Sequence, residues 1–284
     1  MTRLVQITDT HIQPPGERLY GLVDTSEHLR ATIATIRRIR PTPDLVVITG
    51  DLVERADAES YAHFLELVSP LEMPVYVLPG NHDEPEMMAS LLSHTTCFPV
   101  SDDTFQYAVE INGFRMLALN SHAGGSELPE LDGEHLDWLK NELPRSDAPT
   151  LLAIHHPPMQ TGIEFIDMGG SAWYQGLKTV LEGEHNVRLI ICGHCHTDLV
   201  GRIANVPVYM SGAIAHQLVA ARDMDVAPAF AAAPVPPVLH RLVDGEFVSG
   251  SYPWPADVEE QRIDRTSNID WKDLKLQMMG SKAP

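Results

Sequence analysis

Five short apolar runs in this 284-residue chain each end on a cluster of Asp, Asn or His, and this regularity limits the fold more than any other feature. "LVQIT" runs into Asp9-Thr10-His11, "DLVVIT" into Gly50-Asp51, "VYVLP" into Gly80-Asn81-His82-Asp83, "TLLAI" into His155-His156, and "VRLIIC" into Gly193-His194-Cys195-His196. Continuous apolar runs of this length read as strands buried on both faces. Amphipathic segments separate them. Asp24 to Arg40 reads as a helix, with Asp24 and Glu27 spaced as a capping box and Pro41 and Pro43 ending it. Ala58 to Val68, Gly133 to Leu143 and Trp173 to Glu182 read as further helices. The alternation predicts βαβ units and a largely parallel sheet, so the fold class is α/β. Ligands of open α/β sheets bind at the carboxyl ends of strands, where these polar clusters fall.

Two hairpins are expected, around Asn112-Gly113 and Asp244-Gly245. Val206 to Ser211 is another strand. Asp225 to Val238 is biased toward Ala and Pro and is expected to be irregular. The segment from Pro157 to Ser171 is either a lid over a site or a long connection, and its place beside His155 favours the lid. The tail beyond Trp254 is polar and has no core of its own, which suggests ordering by a partner copy, hence a homodimer or higher homo-oligomer.

"ICGHCH" (Ile191 to His196) fits three chemistries: covalent haem attachment through Cys-x-x-Cys-His, a Cys-x-x-Cys redox or zinc site, and a His-x-His metal clamp. The N-terminal residues enter a strand directly, with no apolar signal region, so a cytoplasmic location is expected and the haem reading weakens. Three cysteines, Cys97, Cys192 and Cys195, do not make a disulfide framework. No run is apolar for long enough to span a membrane. A formal net charge of −19 opposes binding to long nucleic acids and anionic membranes. It does not oppose a small anion, because bound cations invert the local sign.

Residues two apart in extended chain point the same way. Asp9 and His11 can therefore grip one ion, and His194 and His196 can straddle a pair. Carboxylate oxygen with imidazole nitrogen suits Mn, Fe, Zn or Co. Three oxygen donors (Asp9, Asp51, Asn81) and four histidines (His11, His155, His194, His196) exceed the needs of one ion, and two divalent ions sharing a carboxylate would use them all. Gly50, Gly80 and Gly193 each precede such a donor, where a close approach of backbone leaves no room for a Cβ. His28, His63, His94, His135, His185 and His240 stand outside these motifs and read as surface or packed core groups.

The ordered set D-x-H, G-D, G-N-H-D, H and G-H-x-H, from Leu4 to His196, resembles the calcineurin-like metallophosphoesterases. "ERLYGLVD" (Glu17 to Asp24) and "HHPP" (His155 to Pro158) resemble the bacterial branch holding class III cyclic-nucleotide phosphodiesterases and glycerophosphodiester phosphodiesterases. The resemblance implies a four-layer αββα sandwich with the site at one edge; the catalytic domain is expected over residues 1–254, with the polar tail at 255–284 as a C-terminal cap or dimerisation segment. It assigns Asp9, His11, Asp51 and His196 to one metal, and Asp51, Asn81, His155 and His194 to the other. It places Asn81, His82 and His216 near the substrate, makes His82 a catalytic group facing the phosphate and leaving group, and gives Asp83 the role of orienting it. His156 is expected beside the ligands rather than among them, and a packed role for His216 is the competing reading. The reaction implied is hydrolysis of a small phosphodiester by metal-activated water. A phosphomonoesterase or a nuclease on the same centre is the alternative, and a haem or redox protein is the alternative from another class.

Overall fold

The computed structural model describes residues 1–124, 126, 128–131, 133–219, 227–252 and 270–279. In chain order the elements begin with β1 (Arg3–Ile7), α1 (Thr25–Arg38), β2 (Leu45–Ile48), α2 (Ala58–Val68), β3 (Val75–Val77) and α3 (Pro85–Leu91). The hairpin β4 (Tyr107–Ile111) and β5 (Phe114–Ala118) follows, then α4 (Gly133–Glu142), β6 (Thr150–Ala153), α5 (Gln175–Leu181) and β7 (Val187–Cys192). A second hairpin, β8 (Leu199–Ile203) and β9 (Val206–Met210), leads to β10 (Gln217–Val219) and β11 (Ala229–Ala231), then to β12 (Val238–Val243), β13 (Glu246–Ser251) and α6 (Trp271–Met279). The Asp24 side chain accepts from the Glu27 N–H at 2.9 Å and starts α1. Asp57 does the same for α2 through Ser60 at 2.8 Å.

The strands form two mixed sheets, β13-β12-β1-β2-β3 and β4-β5-β6-β7-β9-β8, with β10 and β11 paired separately. Each large sheet has a parallel run, β1-β2-β3 reaching one edge of the first and β5-β6-β7-β9 in the middle of the second. Antiparallel strands close β12 and β13 onto the first and β4 and β8 onto the edges of the second. The expectation of one largely parallel sheet is corrected on this point. The sequence splits the parallel strands between two sheets because each needs both faces covered.

Alternation along the second sheet shows how this is done. Met116, Ala118, Leu151, Ala153, Leu189 and Ile191 join the first sheet and the apolar faces of α1 and α2 in one core. Their neighbours Leu117, Leu152 and Ile190 turn the other way, to Leu139 of α4 and to Leu177 and Leu181 of α5. Truncating such a residue, for example Leu152→Ala, costs about 2–5 kcal/mol.

The segment expected to be irregular carries β11, and its last residue, Val238, begins β12, while Asp225 and Val226 lie outside the described residues. The backbone of β11 pairs with β10, a non-local contact that Ala and Pro content does not reveal. The domain boundary expected at residue 254 lies outside the described residues, as does most of the tail. Its described part is α6, none of whose residues is buried. Among the described residues no helix is long and apolar enough to cross a membrane.

Candidate metal centre

The carboxyl ends of β1, β2, β6 and β7 meet at one edge where the two sheets face each other, and backbone bonds between loops lock them. The N–H of Asp9 donates to Gly50 O and that of His11 to Asp51 O, both at 3.0 Å. The Gly193 N–H donates to His155 O at 3.0 Å, and those of Ile214 and Ala215 reach Thr8 O and Asp9 O. Gln6 crosses between the sheets beneath the site, donating to Thr49 Oγ1 at 3.0 Å and Cys192 O at 2.9 Å.

Asp9, His11, Asp51, His194 and His196 all have left-handed backbones, with φ of 52°, 43°, 50°, 73° and 48°. Such values are uncommon outside glycine, and their concentration here is a reservoir of strain held by the surrounding hydrogen bonds. The glycines beside these residues are fixed by space. A Cβ on Gly80 would stand 2.5 Å from the Asp51 nitrogen and against its carboxylate. One on Gly193 would stand 2.5 Å from Asp9 Oδ2 and against the Thr8 hydroxyl.

Two donor groups result. In the first, His11 Nε2 and His196 Nε2 are 3.1 Å apart, His196 Nε2 is 3.3 Å from Asp9 Oδ1, and His11 Nε2 is 3.5 Å from Asp51 Oδ2. In the second, Asn81 Oδ1 lies 3.1 Å from His155 Nε2 and 3.0 Å from His194 Nδ1. The same Asp51 Oδ2 is 3.4 Å from His155 Nε2, so one carboxylate oxygen faces both groups. All seven residues expected as ligands are brought together.

Charge explains what such a cluster needs. Burial acts to raise the Asp9 carboxyl, but neighbouring His196 overcomes it and holds the group at about 2. Burial likewise opposes ionisation of Asp51, and His155 and His11 hold it well below the ordinary range. Two ionised carboxylates are thus enclosed almost without water contact. Burial alone would strip the proton from His155, yet Asp51 pushes that imidazole up to about 9. Burial, reinforced by His155, takes His194 down to about 3. An enclosed anionic pair ringed by imidazoles calls for divalent cations, and oxygen and nitrogen donors suit them.

Around this centre the sequence-predicted residues divide. His82 gives its backbone N–H to Asp51 Oδ1 at 3.0 Å, and its ring stands 4.8 Å from that of His11. Asp83 is a brace of the loop. It accepts from Leu52 N at 3.1 Å, Gly80 N at 2.9 Å and the Tyr61 hydroxyl at 3.1 Å. The Glu54 carboxylate lies beside the His82 ring, at 3.5 Å, while the contacts of the Asp83 carboxylate are to the loop backbone and Tyr61. Burial, then Asp51, pushes the Asp83 carboxyl up to about 7. His156 shares its Nδ1 with Ser121 Oγ at 2.8 Å, and burial and His194 keep it neutral. The His216 ring lies 4.3 Å from His196. The loop from Pro157 lines a cleft with His156, His194 and Trp173, and Asp167 ties its turn to Thr161 and Gly162.

Glu54 was not legible. Its Oε2 is 2.7 Å from His11 Nδ1 and 3.5 Å from His82 Nδ1, and its backbone oxygen accepts from His82 Nδ1 at 3.1 Å. A three-residue step from Asp51 shares no strand face. The left-handed kink at Asp51 and the bridge between Ile12 and Val53 bring it back. Cys192 and Cys195 are fully buried in the second core, and burial raises both thiols far above their usual range. The thiols of "ICGHCH" therefore pack, whereas its histidines turn into the centre, His196 to Asp9 and His194 to Asn81.

The sequence profile of the calcineurin-like phosphoesterases matches residues 2–198. The chain belongs to that family. It is a metal-dependent phosphoesterase, and its donor set is of the dimetal type. A 3',5'-cyclic adenosine monophosphate phosphodiesterase of Escherichia coli K12 is 35% identical over 202 residues, covering 69% of this chain and 70% of that one. A glycerophosphodiester phosphodiesterase of Enterobacter lignolyticus is 26% identical over 249 residues, covering 87% and 89%. A dimetal phosphatase from Danio rerio shares the fold, with a TM-score of 0.62 at 15% identity, covering 88% of this chain and 99% of that one.

Proposed function

We propose that this phosphoesterase hydrolyses small phosphodiesters at a dinuclear centre. Asp9, His11, Asp51 and His196 would hold one ion, and Asp51, Asn81, His155 and His194 the other. The observation that carries this reading is the Asp51 oxygen, 3.5 Å from His11 and 3.4 Å from His155, which suits a bridging ligand. Bound divalent ions (Mn, Fe, Zn or Co) would activate water and neutralise charge on the phosphoryl oxygens.

The chain's own residues do the rest. Glu54 Oε2, 2.7 Å from His11 Nδ1, keeps the proton on that nitrogen and turns the Nε2 lone pair to the centre. His82 donates a hydrogen bond from Nδ1 to Glu54 O, which orients the ring, and its Nε2 would act on the substrate. The Glu54 carboxylate at 3.5 Å stabilises positive charge on that ring. A protonated His82 would then hand its Nε2 proton to the departing alkoxide. Asp83 acts at a distance, by fixing the backbone between Gly80 and His82. His216 borders the substrate space.

Diesters are favoured over monoesters because the motifs that carry the donors, Asp9-Thr10-His11, Gly50-Asp51, Gly80 to Asp83, His155-His156 and Gly193 to His196, contain no Lys or Arg to meet a dianion. Relatives named for cyclic-nucleotide and glycerophosphodiester hydrolysis support the same reading. The charge of −19 opposes long nucleic acids as substrates. Residues 1–254 form the catalytic domain in this reading, the loop 157–171 is a lid, and the tail, whose α6 exposes Trp271, Leu276 and Met278, joins copies into a homo-oligomer.

The deciding test is turnover by metal-reconstituted protein of an aryl phosphodiester, its monoester and a panel of natural diesters. Faster hydrolysis of the monoester than of every diester overturns the proposal.

A further inference from the structure

Next to the centre lies an aromatic cluster that metal binding and proton transfer do not use. Tyr20 and Phe230 have ring centroids 5.3 Å apart, and the His216 ring meets both, at 5.7 Å and 5.2 Å. His216 in turn lies 4.3 Å from His196 and 5.9 Å from His11. The cluster therefore begins one ring away from the proposed ligands His196 and His11.

Tyr20 is held there at a cost. It has a left-handed backbone, with φ of 53°, which is rare for a bulky side chain. Its neighbours Leu19 and Val23 are buried with Ala215, and the Leu19 N–H donates to Val23 O at 3.0 Å, so the turn is anchored on both sides. Nevertheless the Tyr20 side chain is turned outward, and the residue is 57% exposed. Phe230 is the middle residue of β11, opposite Leu218 of β10, whose N–H donates to His196 O at 3.0 Å. Both aromatic residues are thus carried on backbone tied to the site. Their rings are tilted by 50°, so neither face is stacked on the other, and Phe230 keeps 37% of its surface open. Among the described residues the buried His216 Nδ1 has no hydrogen-bond partner.

We propose that Tyr20 and Phe230, with His216 between them and the metal ligands, form a stacking platform for the heterocyclic base of a nucleoside phosphodiester. This rests on the phosphodiesterase reading above and narrows it to base-bearing substrates. A flat ring gains by stacking on aromatic faces. A purely glycerol-based diester has no ring to place there. An uncharged base also suits a chain of net charge −19 better than a second anionic group.

The test is steady-state kinetics of the metal-loaded full chain on adenosine 3',5'-cyclic phosphate and on glycerophosphoglycerol, which has neither ring nor cation. Wild type, Tyr20→Ala, Phe230→Ala and Phe230→Leu are compared. In both Ala variants the ratio of the cyclic-nucleotide KM to the glycerophosphoglycerol KM should rise roughly 10-fold, as expected for loss of a base-stacking surface. Phe230→Leu, which keeps apolar volume and removes the π face, should show an intermediate rise and an unchanged circular dichroism spectrum. A ratio that stays constant, or KM values that move together, overturns the platform. If wild type hydrolyses neither diester, the functional reading fails instead. Calorimetric affinities for adenosine monophosphate and glycerol 3-phosphate then decide the platform separately: an affinity ratio equal in all four proteins overturns it.

Discussion

His11 Nε2 and His196 Nε2 face each other at 3.1 Å, each also within 3.5 Å of a carboxylate oxygen. His11 turns its Nδ1 to Glu54, which leaves its Nε2 facing the centre. Two imidazoles and two carboxylates pointing at one volume make a nitrogen and oxygen donor set suited to a divalent cation. Reconstituted protein should therefore hold about two divalent ions per chain, and chelation should lower Tm as well as abolish turnover. Elemental analysis and calorimetry with and without metal check this. Protein that binds no Mn, Fe, Co or Zn, or whose Tm ignores chelation, would sink the assignment.

Gly80→Ala adds one methyl group where the Asp51 nitrogen would be 2.5 Å and the Asp51 carboxyl carbon 2.8 Å away. Both are held on a strained backbone that cannot retreat freely. The substitution should weaken metal binding and turnover by about 10–100-fold, the range for lost support of a ligand. Far-ultraviolet circular dichroism should stay native. Normal metal affinity in this variant would show that Asp51 is not held as described.

His240 links β12 to β13 through Ser249 Oγ at 2.7 Å and to β1 through Gln6 Oε1 at 3.0 Å. Burial alone pushes its pKa down to about 3, so the folded protein keeps it neutral. In the unfolded chain it titrates near 6.5. Between these values the unfolded state binds the extra proton, so its contribution to stability is complete above about pH 6.5 and is lost as pH falls toward 3. His240→Gln should be less stable than wild type at pH 7.5 and should close that gap by pH 5. Urea midpoints of the two proteins at both values check this, because all other titrations are common and cancel in the difference. A gap that does not change with pH would argue against a neutral buried His240.

The polar strand ends and the glycines before them were legible because buried parallel strands read as continuous apolar runs and their ligands follow at once. Helix α2 was readable to both ends, Ala58 and Val68, from its amphipathic pattern. Strand β8 was not, since an edge strand with Gly201 and Arg202 buries only one residue. Neither was α3, a seven-residue helix begun at Pro85. Glu54 and the contacts of Asp83 depend on left-handed turns and on partners distant in sequence, which periodicity cannot carry.

Asn81 and His82 are adjacent yet have different surroundings, and this separates two kinds of defect. Asn81 Oδ1 stands between His155 Nε2 and His194 Nδ1, at 3.1 Å and 3.0 Å, whereas the His82 ring turns to the Glu54 carbonyl at 3.1 Å. His82→Ala should leave metal content near normal and lower turnover by roughly 10²–10⁴-fold, the range for a positioned acid or base. The loss should shrink for diesters with acidic leaving groups, which depart without a proton. Asn81→Ala should bind the second ion weakly, and excess metal should restore part of its turnover for every leaving group alike. Glu54→Gln keeps the backbone carbonyl but removes the carboxylate, so it should fall between wild type and His82→Ala and show the same dependence on leaving group. Turnover of the three variants across a leaving-group series and a metal titration distinguishes these patterns. Full recovery of His82→Ala by metal alone would make His82 a ligand and reverse the division of roles argued from its contacts.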